Sequence, residues 1–69
     1  MERERQIVLR HLSTEIETLA RLHIQHGLHQ TQGFKKHKKD IEKLIEEYEV
    51  NPRKELDPLT LHLYRRYFG

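Results

Sequence analysis

Apolar and half-apolar residues recur at Leu9, Leu12, Ile16, Leu19, His23 and His26, in alternating steps of three and four. That spacing lines one side of a helix and predicts a first helix over about residues 2–26. Gly27 can adopt positive φ just past the last turn, and His26 in that turn complements the negative end of the helix. The pattern returns at Phe34, His37, Ile41, Leu44 or Ile45, and Tyr48, predicting a second helix over about 34–49. Two matching stripes joined by about seven residues, Gly27 to Gly33, pack most simply as an antiparallel hairpin.

A third helix over about 57–68 carries the strongest local signals. Asp57 suits the N-cap, Pro58 suits the first helical position, and Leu56 can close over Leu61 four residues past the cap. Its apolar residues fall on two faces, Leu59, Leu63 and Tyr67 on one and Leu61, Tyr64 and Phe68 on the other. A two-helix hairpin cannot cover both. Period-two alternation is absent, which excludes strands. The predicted class is therefore all-α: one domain over residues 1–69, an antiparallel two-helix hairpin plus a short C-terminal third helix, forming a small helical bundle that dimerisation would complete.

Size supports the last point, since a domain of 69 residues gains only about 3 to 5 kcal/mol from its core. The chain has no cysteine, so disulfides are ruled out and a reducing, cytoplasmic setting is expected. There is neither a run of about 18 apolar residues nor an apolar leader, so no membrane association is expected. Thirteen Lys and Arg against eleven Asp and Glu leave a net charge of +2, so any basic surface must be local.

One such surface is the run Lys35, Lys36, Lys38 and Lys39. These cations fall in the first turns of the second helix, where the macrodipole opposes them at a cost of about 0.3 to 1 kcal/mol each when exposed. A feature that weakens its own helix points to a contact with nucleic-acid phosphates or an acidic protein surface. His23, His26 and His37 lie on the inward stripes near the connecting loop and are read as a pH-sensitive core. His23 and His26, three residues apart, could hold a metal from one helix face. No cysteine or carboxylate completes a recognised spacing, however, and neither a metal nor another cofactor is expected.

The terminal helix has the composition of an interaction surface, because Tyr, Phe and Arg bury large areas while keeping a polar handle. Leu61, Tyr64, Arg65, Arg66, Tyr67 and Phe68 are the candidate partner-binding residues. The acidic run Glu46, Glu47 and Glu49 reads as a solvated helix face, since nothing sets two carboxylates apart as acid and base. No nucleophile grouping or glycine-rich phosphate loop is present, so no catalytic residues are assigned.

From Ile16 to Tyr48 the chain resembles the small sporulation-type aspartyl-phosphate phosphatases, helical hairpins that dephosphorylate response regulators. Gly27 and Leu28 match the end of that family's first helix, and Ile41, Leu44, Ile45 and Tyr48 match in spacing on the second. Lys38, Lys39, Asp40, Ile41 and Glu42 stand where the family has Ser-Gln-Glu-Leu-Asp. The resemblance thus implies a degenerate hairpin acting on a response regulator. Leu63, Tyr64 and Arg65 form the triplet of the mitochondrial LYR proteins, where it opens a longer bundle. The residues themselves favour a non-enzymatic regulatory or adaptor protein, a homodimer that binds and modulates a protein partner through its helical surfaces. A small nucleic-acid-binding protein using the lysine run is the alternative.

Overall fold

Three helices of more than two turns and one single-turn helix account for the architecture. The computed structural model describes residues 2–69, with side-chain surroundings from residue 4 onward. Helix α1 spans Glu2–Ile24, α2 spans Gln32–Glu47, α3 is a single turn at Pro52–Glu55, and α4 spans Pro58–Phe68. The all-α class, the α1–α2 hairpin and the C-terminal helix are as expected. The short α3 was not.

The boundaries show which local signals decided the outcome. Helix α1 stops two residues before His26, and Gly27 takes φ 63°, so that the Leu28 N–H reaches back to the Leu22 carbonyl at 2.8 Å. Helix α2 begins at Gln32 rather than Phe34, because the Thr31 hydroxyl oxygen accepts the Phe34 N–H at 3.2 Å and caps the helix. The other end of α2 is a Schellman turn. The Glu49 N–H bonds the Glu46 carbonyl, the Val50 N–H bonds the Ile45 carbonyl, and Glu49 sits at φ 51° where glycine is usual. Asp57 caps α4 as expected, its carboxylate accepting the Thr60 N–H at 3.2 Å and the Thr60 hydroxyl at 2.7 Å.

Leu12, Ile16, Leu19 and Ile41 are completely buried, and Phe34, Val50 and Leu56 join them. Helix α4 runs parallel to α1. Glu55, just before it, meets Arg5 near the start of α1, and Tyr67, near its end, meets His23 near the end of α1. The bundle is therefore up, down, up, and α4 packs against α1 while also meeting α2, where Tyr67 contacts Phe34 and Phe68 lies under Lys38.

Neither apolar face expected of the terminal helix is the one that turns inward. The core takes the seam between them, with Thr60 buried and Leu63, Tyr64 and Tyr67 packed beside it. A threonine can occupy that central position because Asp57 satisfies its hydroxyl, which removes the cost of burying a polar group. Leu61 and Phe68 pack on one margin of the core, while Leu59 on the other margin stays 63% exposed. No helix among the described residues is long and apolar enough to cross a membrane.

Candidate functional site

Two chemically different clusters close the two ends of the bundle. At the first, Arg5 donates from Nε and Nη2 to the two carboxylate oxygens of Glu55, a bidentate pair, and from Nη2 and Nη1 to the carbonyls of Glu49 and Tyr48. One guanidinium thus ties α1 to the carboxyl end of α2 and to α3. Glu55 also accepts the Asn51 N–H at 2.7 Å. The Arg5 guanidinium first, and then that N–H, hold the Glu55 carboxyl below the ordinary carboxylate range, and Glu55 in turn raises Arg5. The Thr60 hydroxyl and N–H lower Asp57 in the same way.

Both carboxyls are more acidic folded than unfolded, so their stabilisation is fully present above the unfolded pKa and is lost as pH falls through the folded one. The melting temperature is therefore expected to drop as the pH is taken below about 4, and Glu55→Gln should flatten that drop relative to the parent chain. Thermal melts followed by circular dichroism across that range check it; an unchanged pH profile in Glu55→Gln would contradict the assignment.

At the other end the closure is aromatic. His23 Nδ1 lies 2.7 Å from the Tyr67 hydroxyl, and the Tyr67 ring meets those of His23 and Phe34 edge-on at 5.5 and 6.0 Å. His29 packs against His23 at 4.5 Å between ring centres, and Arg66 lies over Tyr67 at 5.9 Å. Tyr64 and Phe68 stack at 5.0 Å, with the Lys38 ammonium 5.3 Å from the Phe68 ring centre.

This arrangement redistributes the residues expected to act together. The three histidines do not share a core. His26 is exposed beyond the end of α1, because the helix finishes before its turn completes. His23 is half-buried against Tyr67, and half-buried His37 has Nε2 3.1 Å from both the backbone carbonyl and the carboxylate of Glu15. Among the described residues no three histidines or carboxylates are placed to hold a metal ion.

The lysine run also divides. Lys35, Lys36 and Lys39 are exposed and line one shallow groove with Gln32, whereas Lys38 points towards α4 and is half-buried over Phe68. Of the candidate partner-binding residues, Leu61, Tyr64, Tyr67 and Phe68 pack against the core, and only Arg65 and Arg66 are exposed. Leu63, Tyr64 and Arg65 lie in the middle of α4 instead of opening a bundle, and Glu42, at the acidic position of the phosphatase-like motif, is exposed on α2.

Two grooves flank α1. On the α2 side, Ile7, Val8, His11, Leu44 and Tyr48 form an open apolar trough in which Ile7 is 65% and Tyr48 45% exposed. On the α4 side, Ala20, Ile24, Leu59 and Leu63 form a second, rimmed by Glu17, Arg21 and Gln25. Neither was apparent from the sequence, which placed Leu59 on one apolar face of the terminal helix together with Leu63 and Tyr67. No protein-family model, curated protein or solved structure matches this chain.

Proposed function

We propose that the chain is a non-enzymatic, cytoplasmic adaptor or regulator that binds a protein partner by receiving an amphipathic helix in the α1–α2 groove. The observation that carries this reading is the exposure of Ile7 and Tyr48 across a trough floored by Val8 and Leu44. A groove between two antiparallel helices accepts a third helix by burying its apolar stripe. Tyr48 combines a large apolar face with a hydroxyl, the character common in the centres of interfaces. Arg65 and Arg66, exposed on α4, with Arg66 lying over Tyr67, supply positive charge for contacts with the same class of partner, whereas the aromatic residues of that helix serve the core.

A photocrosslinking residue placed at position 48, in cells that express the chain naturally, should give a discrete adduct with a different protein. Ile7→Glu should abolish it without altering the helical content. An adduct that survives Ile7→Glu, or the lack of any heterologous adduct, would remove this reading.

A second reading is favoured by one observation, the side-by-side exposure of Lys35, Lys36 and Lys39. Three phosphate contacts would make duplex-DNA affinity fall with salt at a logarithmic slope of about −3, which anisotropy titrations with Lys→Gln variants would detect.

A further inference from the structure

We propose that the α1–α4 groove is the interface of a two-fold symmetric homodimer, with a second copy of this chain as its occupant. The proposal concerns a different flank of α1 from the α1–α2 groove, so it stands or falls independently of the adaptor reading.

The groove is self-complementary. Because α4 runs parallel to α1, Leu59 lies at one end of the groove and Ile24 at the other, with buried Ala20 and half-buried Leu63 between them. Leu59 is 63% and Ile24 62% exposed, so two large apolar side chains stand in water at equal prominence. A two-fold axis through the Ala20–Leu63 centre sets Leu59 of each copy against Ile24 of the other. A patch that is its own complement under two-fold rotation is what an isologous interface requires. Ala20, which adds only a methyl group at the centre, allows the second α1 to approach closely.

Charge follows the same symmetry. Glu17 and Arg21 sit one turn apart on the rim, on either side of that centre, and among the described residues they form no ion pair with each other. Antiparallel packing of the two α1 helices brings each Glu17 to the Arg21 of the other copy. Unlike charges then meet at both rims, and a parallel arrangement would lack this match.

The test is the solution mass of the full chain by sedimentation equilibrium over a range of concentrations. The expected result is a concentration-dependent dimer, weakened by more than about tenfold in Leu59→Glu with an unchanged helical spectrum, since Leu59 contributes little to the core. Glu17→Arg alone and Arg21→Glu alone should each be chiefly monomeric, because like charges face each other across the axis. Mixed together they should form a heterodimer, and the double variant should dimerise with itself. A parent chain that remains monomeric at every concentration, or a dimer indifferent to Leu59→Glu, overturns the proposal. So does a dimer in which the charge-reversed pair shows no preference for mixing.

Discussion

A chain cut after Leu56 should show no cooperative thermal transition. Helix α4 covers the side of α1 that α2 leaves open, burying Thr60 and packing Leu63, Tyr64 and Tyr67 against the shared core. Full burial of a large apolar side chain is worth about 1.5 to 3 kcal/mol, so even the partial burial of three such residues adds up to several kcal/mol. The whole stability expected of a domain this small is about 3 to 5 kcal/mol. Without α4, the hairpin would expose Leu56 and one side of the core it must keep dry, and it would also lose the ring contacts of Tyr67 with His23 and Phe34. Far-ultraviolet circular dichroism during heating distinguishes the outcomes. A broad, non-cooperative loss of helix is expected, and a sigmoidal melt near that of the full chain would show that α1 and α2 carry the fold alone.

Ile16→Ala should be nearly as severe from a single position. Ile16 is completely buried at the centre of the inward stripe of α1. Removing a buried isoleucine to the β-carbon costs about 2 to 5 kcal/mol, depending on how far the surroundings collapse, which matches most or all of the stability available. The variant should be largely unfolded at physiological temperature. Ile7→Ala removes the same atoms from a side chain that is 65% exposed, and should change stability by no more than about 0.5 kcal/mol. Urea titrations of the pair measure the contrast, and equal midpoints would mean that Ile16 does not occupy the core.

The two variants also mark what could be read from the sequence. The α1 and α2 stripes were legible because helical periodicity needs only neighbours three and four residues away, and Ile16 and Ile41 are indeed at their centres. Asp57 with Pro58, and Gly27, were legible for a similar reason, since caps and left-handed turns are local events. Thr31 carried an equally local signal, three residues before the N–H it accepts, but Gly33 and Phe34 drew the boundary past it. Helix α3 is a single turn, too short for periodicity to register, with only Pro52 at its first position as a cue.

The candidate site was less legible, because its geometry depends on partners distant in sequence. Arg5 and Glu55 are 50 residues apart, and nothing near either one names the other. Lys38 belongs to a run of like residues and differs from them only through the ring of Phe68. The inward face of α4 could not be chosen while its wheel was apolar nearly all round. The choice turned on Thr60, which counts as polar until Asp57 satisfies it. His26 and Leu59 illustrate opposite errors: a residue in phase with a stripe whose helix ends too soon, and an apolar residue that the fold leaves in water.

The contrast between the two closures gives the bundle a direction of opening. The Arg5–Glu55 clasp is ionic and only half-buried, so dissolved salt screens it in part, and it adjoins a turn in which Glu49 holds a left-handed backbone better suited to glycine. The opposite closure rests on the packing of His23, Phe34 and Tyr67, which counterions do not weaken. Amide hydrogens around Val50 and Leu56 should therefore exchange faster as ionic strength rises, while those around His23 and Phe34 keep their rate. Faster exchange confined to the Val50–Leu56 end would mean that the bundle opens at its ionic pole and hinges at its aromatic one.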